Sequence, residues 1–227
     1  MKIGASGVNA ECSKTRGRGL WKVAALALAT LPLGAVGGCG AARPMQYYQL
    51  TVPSEMSQVE RNASGVSLTV VPLFSSTLYR EDRIVYSTGP EQMGVYEYHR
   101  WTEPPTEMIH EVVLRELRAS GRYRAVFSRR SSGRADYLLR GQLYDFKEIS
   151  GPPLMARLTA DWELVDTKTG TVVWTFHYGH DEAVSSKDVQ AVVAALDHDV
   201  QRAVGEVKAG LEQYFATATT PASTPGK

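Results

Sequence analysis

The sequence lacks a strong charge of either sign and lacks a long apolar run. Lys and Arg number 25 against 24 Asp and Glu, a formal net charge of +1. The basic footprint of a nucleic-acid-binding protein is therefore missing. The longest apolar stretch runs from Val23 to Gly38 and contains Pro32. A membrane-spanning helix needs about 20 apolar residues, so this stretch is too short for a permanent span.

Recognisable catalytic and metal-binding motifs are also missing. The sequence has no G-x-S-x-G elbow, no phosphate-binding glycine loop and no H-E-x-x-H pair. His177 and His180 form H-x-x-H, but residues three apart on a strand point to opposite faces. We therefore expect no metal site there and no cofactor, and we predict that the protein is not an enzyme.

Cysteine is scarce, and one of the two cysteines ends the apolar run. Basic residues precede that run, and small residues close it, which is the layout of a secretory signal. The last four residues, Val36-Gly37-Gly38-Cys39, resemble a bacterial lipobox, in which the peptidase cuts before the cysteine. We predict a lipoprotein signal peptide over residues 1–38 and lipidation at Cys39, with diacylglycerol on the thiol and an acyl group on the new amino group. The alternative is an accidental or buried cysteine after an uncleaved anchor.

Cleavage before Cys39 would change the chain in two ways. The signal holds Cys12, five Lys or Arg residues and one acidic residue, so the mature chain has one cysteine and a net charge of −3. The tether, residues 39–45, is short, because the six residues CGAARP that precede Met45 span at most about 20 Å. The tether therefore keeps the domain near the membrane surface, and Gly40 favours the outer membrane by resemblance to enteric-type sorting.

Residue periodicity predicts an α+β fold, a two-layer α/β sandwich whose mixed, mostly antiparallel sheet carries two main helices on one face. The segment TEPPTEMIHEVVLRELRASG reads as a helix closed by Gly121, and the strands around it suggest a crossover unit. A second helix follows Ser185 and Asp188, which look like a capping box. Its apolar stripe indicates core packing, with a coiled-coil partner helix as the alternative.

The segment MARLTADWELVDTKTGTVVWTFHYGH is the clearest element, because its residues alternate strictly between apolar and polar. The alternation predicts a β-hairpin with one covered face. The preceding ADYLLRGQLYDFKEI is predicted to be a third strand of the same meander. We predict one domain over residues 46–215 and a disordered tail over residues 216–227, since the tail has no apolar face to bury.

Several segments together resemble one known family. They are YYQL, VVPLFSSTLYREDRIVY, VYEYHRWTEPP, ADYLLRGQLYDF and ADWELVDTKTGTVVW, between about Tyr47 and Leu211. This pattern resembles the ABC-type transport auxiliary lipoprotein family. The resemblance implies a non-enzymatic periplasmic lipoprotein that accompanies MCE-domain proteins and ABC transporters, which move phospholipids or other hydrophobic molecules between the inner and outer membranes.

The partner-binding residues are predicted in the region from Glu91 to Pro105, interpreted as a loop. Aromatic residues and arginine are enriched in interface cores, which selects Tyr96, Tyr98, Arg100, Trp101 and Pro104. The alternative is that Trp101 staples the start of the helix and the tyrosines cover the sheet. The basic segment at residues 128–134 is interpreted as a solvated hairpin loop, with contact to anionic headgroups as the alternative.

Two further alternatives stay open at this stage. A small lipidated α/β domain can also activate a cell-wall synthase or help to assemble an outer-membrane complex. A homo-oligomer is compatible with the sequence as well. The transported molecule is not indicated by any residue.

Overall fold

A computed structural model describes residues 43–52, 64–131 and 133–218. The predicted signal peptide, Cys39, most of the tether and residues 219–227 lie outside these ranges. The strands are β1 (Gln46–Tyr48), β2 (Ser64–Val70), β3 (Phe74–Ser75), β4 (Arg83–Gly89), β5 (Gln92–Trp101), β6 (Tyr123–Ser128), β7 (Tyr137–Ile149), β8 (Met155–Asp166) and β9 (Val172–Ala183). The helices are α1 (Pro105–Ala119) and α2 (Val189–Ala218), with a short 3-10 helix at Thr77–Tyr79.

The strands form one mixed sheet around the long central strand β7. The main strand order is β1-β5-β4-β7-β2-β6, and β3 and β8 also pair with β7. The two longest ladders, β7 with β8 and β8 with β9, are antiparallel, whereas β2, β3 and β4 run parallel to β7. Helices α1 and α2 pack against each other and against the sheet, so the predicted α+β class and meander are confirmed.

Helix α1 begins and ends where proline and glycine indicate. Pro105 occupies the first helical position, where its missing N–H costs no hydrogen bond and its fixed φ suits the helix. Gly121 follows the helix with φ of 63°, a left-handed conformation that glycine adopts without steric cost. The apolar residues between them lie three or four positions apart and are buried, so this helix was fully predictable.

Helix α2 buries the predicted apolar stripe in the core shared with the sheet, which supports core packing over a coiled-coil partner. The predicted cap is corrected, because the carboxylate of Asp188 itself accepts a hydrogen bond from the Ala191 N–H at 2.8 Å. Asp188 is thus the N-cap residue, and no capping box with Ser185 is formed. The helix ends at Ala218, so residues 216–218 of the predicted tail are helical.

Two connections differ from the predictions. Strands β5 and β6 are separated by three strands and run antiparallel to each other, so the predicted crossover unit is wrong. Helix α1 instead connects β5, near one edge of the main strand order, with β6 at its opposite edge. The basic segment at residues 128–134 is not a hairpin loop, because β6 and β7 both pair in parallel with β2. Among the described residues, no helix is long and apolar enough to cross a bilayer.

Candidate functional site

The predicted contact region is mostly strand β5, not a loop. Its ladder with β4 is irregular, because Arg83 pairs with Arg100 while Val85 pairs with Val95. Four residues of β5, at positions 96–99, thus lie opposite the single residue Ile84 of β4, and such a bulge breaks the alternation of faces. Tyr96 consequently contacts the ring of His99, with centroids 5.7 Å apart. Strict alternation of faces therefore does not hold along β5.

Tyr96 belongs to a half-buried polar cluster at the end of the sheet. Its hydroxyl donates a hydrogen bond to the buried carboxylate of Glu148 at 2.5 Å, and Ser150 donates to the other oxygen of that carboxylate. Burial and the neighbouring Glu148 raise the pKa of the Tyr96 phenol. The ring also meets Tyr86 edge to face. The Tyr96 side chain is therefore bonded to the sheet, which is compatible with the alternative interpretation that the tyrosines cover the sheet.

Trp101 is a core residue. Its side chain is 1 % exposed and packs against Phe146, with ring centroids 5.4 Å apart. The alternative interpretation, that Trp101 staples the start of α1, agrees with this burial, whereas direct contact with a partner does not. Pro104 precedes α1 and lines the surface groove described below.

Tyr98 and Arg100 lie nearer to the surface. Arg100 forms an ion pair of 3.0 Å with Asp82, and the guanidinium of Arg43 lies 6.0 Å from the centre of the Tyr98 ring. This distance is within the range of a cation–π interaction. The predicted set is therefore divided among the core (Trp101), a polar cluster (Tyr96), the surface near the tether (Tyr98 and Arg100) and the groove (Pro104).

A groove of about 1070 Å³ runs between α1 and the segment that follows β6. Its walls carry both signs of charge, from Glu103, Glu107, Glu111, Arg115, Arg118, Arg129 and Arg130. Burial lowers the pKa of His110 in the same wall. A smaller hollow of about 300 Å³ shares Pro72, Pro104, Glu107 and Arg129 with the groove and adds Phe74. Phe74 is 66 % exposed, which makes it the most exposed large apolar side chain of the described residues.

A buried carboxylate on the sheet-facing side of α2 was not predicted from the sequence. Asp199 is 0 % exposed and accepts hydrogen bonds from the Tyr178 hydroxyl at 3.0 Å and from His180 at 2.7 Å. Burial raises the pKa of Asp199. The detectable signal was a single acidic residue on an otherwise apolar helical stripe. Such a residue needs a polar partner in the core, and β9 supplies two.

The same cluster contains three potential metal ligands, His180, Glu182 and Asp199, whose ligand atoms lie within 4.8 Å of one another. The guanidinium of Arg202 is already bonded to this cluster, at 2.9 Å from His180 and 3.0 Å from Glu182. A permanent positive charge at this position disfavours a metal cation. The arrangement is therefore an ion-pair network between β9 and α2. His177 points to the other face and contacts Asp161 at 2.6 Å, as strand alternation predicts.

Comparison with solved structures supports the fold. Protein XCC0632 from Xanthomonas campestris, described as a DUF330 protein, is 22 % identical and superimposes with a TM-score of 0.64 over 74 % of this chain and 98 % of its own. An uncharacterised protein that is 13 % identical has a TM-score of 0.59 over 74 % and 99 % of the two chains. At these identities the likeness concerns the fold alone.

A third structure is more distant. The PelC dodecamer from Paraburkholderia phytofirmans is 15 % identical over 67 % of this chain and 92 % of its own, with a TM-score of 0.37. This similarity is too low to support an argument about assembly. No curated protein matches the chain.

The family comparison covers most of the folded region. Residues 48–208 match the family described as the ABC-type transport auxiliary lipoprotein component. The match extends from β1 into α2 and so includes every strand from β2 onward and the groove. That description concerns an accessory role in transport and names no catalytic activity. The chain belongs to the family of ABC-type transport auxiliary lipoprotein components.

Proposed function

We propose that the protein is anchored by acyl chains on Cys39 and serves as the membrane-side accessory of an MCE-type ABC transport system, which moves phospholipids or other hydrophobic molecules between the inner and outer membranes. The observation that carries the proposal is the family match over residues 48–208, which begins shortly after the lipobox-like Val36-Gly37-Gly38-Cys39. The protein acts as a non-catalytic docking component on the periplasmic side, at the outer membrane.

The anchor and the domain are closely coupled in this proposal. Strand β1 begins at Gln46 and is bonded to β5, so the folded domain starts a few residues after Cys39. The six residues CGAARP that precede Met45 span at most about 20 Å. Two or three acyl chains hold a protein stably, whereas a single chain is marginal. The domain therefore stays at a high effective concentration near partners in the same membrane.

The MCE-domain partner docks at the groove beside α1, around Phe74. Exposed Phe74, the two prolines Pro72 and Pro104, and Arg129 combine apolar area with an arginine, a composition that is enriched in interface cores. Pro104 is retained from the set predicted by sequence. The charged walls of the groove favour a partner surface that carries both signs of charge.

Co-purification from detergent-solubilised membranes tests the function. We expect the tagged full-length protein to recover an MCE-domain protein, and Phe74→Ser to reduce the recovery severalfold. Val172→Ser is the matched control, because Val172 is 45 % exposed and lies at the far hairpin turn. Recovery of a cell-wall synthase in place of the MCE protein would favour the alternative function. Equal recovery by both variants would contradict docking at the groove.

A further inference from the structure

A surface patch at the root of the tether combines aromatic, apolar and cationic side chains. Its members are Arg43, Met45, Tyr47 and Tyr98, which we call the root patch. Tyr47 is 62 % exposed and Met45 is 40 % exposed. Exposed apolar groups beside a polar rim commonly mark a contact surface.

The strand register brings these side chains together. Gln46 and Tyr48 share one face of β1, since the Tyr48 hydroxyl donates to the Gln46 side chain at 2.8 Å, so Tyr47 between them points to the other face. Tyr47 lies beside Arg100 of β5. Arg43 reaches the ring of Tyr98, two residues earlier on β5, at 6.0 Å from its centre. Tyr47 and Tyr98 are therefore held on the paired strands β1 and β5, and Arg43 and Met45 lie in the short segment directly before β1.

Chain length decides what can cover the root patch. Arg43 is four positions after Cys39, a distance of about 14 Å at full extension. If Cys39 lies at the membrane surface, the root patch lies within reach of the headgroup layer. Tyrosine suits that layer because its ring is apolar and its hydroxyl is polar, and arginine can bury its stem while its head stays hydrated.

We infer that the root patch of Arg43, Met45, Tyr47 and Tyr98 rests in the headgroup region of the bilayer and sets the orientation of the domain on the membrane. This inference rests on the proposed lipid anchor at Cys39. A domain that is attached to the bilayer both by acyl chains and by the root patch cannot rotate freely about its tether. The orientation of the domain then determines which of its surfaces is available to a partner.

The scarcity of cysteine gives a direct test in the acylated full-length protein. Tyr47→Cys carries an environment-sensitive nitrobenzoxadiazole label, and the protein is reconstituted into vesicles of phosphatidylethanolamine and phosphatidylglycerol. We expect a blue-shifted emission that is strongly quenched by lipid-borne spin labels. Val172→Cys is the matched control at the end of the hairpin turn, and its label should emit as it does in water. A second probe, Met45→Cys, should behave like Tyr47→Cys, which guards against a local effect of replacing the tyrosine.

The outcomes separate the patch from the anchor. Vesicle-bound protein whose Tyr47→Cys and Met45→Cys labels both stay water-like would overturn the inference while leaving the anchor intact. A blue shift without quenching from the lipid would indicate coverage by protein, such as a second copy, and would overturn it as well. If the parent chain takes up the label at Cys39 and fails to float with vesicles, the anchor itself is refuted and the inference falls with it.

Discussion

The β8–β9 hairpin and the β4–β5 pair are both antiparallel, yet only the first follows simple alternation. In β8 every second residue from Ala156 to Leu164 is buried, and the ladder to β9 runs with one shift near its turn. In the β4–β5 pair the ladder shifts twice, between Arg83 and Val85 and between Ser87 and Gly89. Alternation therefore predicts which face a residue occupies only where the ladder is continuous.

The two regions also differ in what their polar residues do. On the open face of the hairpin, the partly exposed pair Arg157–Asp181 bridges neighbouring strands. In the β4–β5 region, the Tyr96 hydroxyl bonds Glu148, His99 of β5 bonds the hydroxyl of Tyr48 on the adjoining strand β1, and Trp101 fills the core. The bulged region thus uses its aromatic residues for packing, which reduces the surface left for a partner.

The largest effect should come from removing one tryptophan in each region. Trp101 of β5 and Trp162 of β8 are both buried. We expect Trp101→Ala and Trp162→Ala each to lower the free energy of unfolding by about 3–5 kcal/mol, measured by chemical denaturation. Trp101→Phe should cost less, because the Trp101 N–H has no hydrogen-bond partner among the described residues. A loss below about 1 kcal/mol for Trp101→Ala would show that Trp101 serves contact instead of packing.

Substituting one glycine by alanine in β5 and one in β7, the strand that pairs with β8, compares how tightly the backbone is packed in the two regions. A Cβ on Gly141 of β7 would lie 2.0 Å from the carbonyl oxygen of Asp161, whereas a Cβ on Gly94 of β5 would meet only the end of the Tyr86 side chain. We expect Gly141→Ala to destabilise by about 1–3 kcal/mol or more, because backbone must move. Gly94→Ala should cost clearly less, since Tyr86 can turn away. Equal shifts of the melting temperature would contradict the difference.

The smallest effect is a pH dependence that has opposite signs on the two faces of the hairpin. Burial raises the pKa of Asp199 from its ordinary value of 3.8, so the native state binds its proton more tightly and this group's contribution to stability falls as pH rises from about 4 through the raised pKa. Arg157 lowers the pKa of Asp181, so the contribution of Asp181 is present above about pH 4 and is lost as pH falls through the lowered pKa.

Substitution by asparagine isolates each contribution. With rising pH in the acid range, the stability deficit of Asp199→Asn relative to the parent should shrink, while that of Asp181→Asn should grow. Denaturation at several acid pH values measures both deficits. Deficits that change in the same direction would contradict the assigned environments. The absolute cost of Asp199→Asn is expected to be about 1–3 kcal/mol, because Tyr178 and His180, which both bond Oδ1 of Asp199, exchange a charged acceptor for the neutral, weaker Oδ1 of an amide.

Local signals and long-range signals differ in how well the sequence reveals them. Proline and glycine mark both ends of α1, and strict alternation marks β8, because these effects act over a few residues. The bulge in β5 and the position of β6 depend on which strands pair, and a single sequence does not contain that information. The burial of Trp101 was undecided for the same reason, since a tryptophan suits both a core and an interface. Asp199 was detectable as a charge on an apolar stripe, but its partners Tyr178 and His180 come from another element.

The account depends on lipid attached to Cys39, and membrane fractionation of Cys39→Ala tests this claim most directly. Cys39 precedes the described residues of the domain, so Cys39→Ala, expressed behind an ordinary cleavable secretory signal in place of residues 1–38, should remain folded while moving from the membrane fraction to the soluble periplasmic fraction. Phe74→Ser, which leaves the anchor untouched, should stay with the membrane. Retention of Cys39→Ala in the membrane fraction, at the level of the parent protein, would contradict the account.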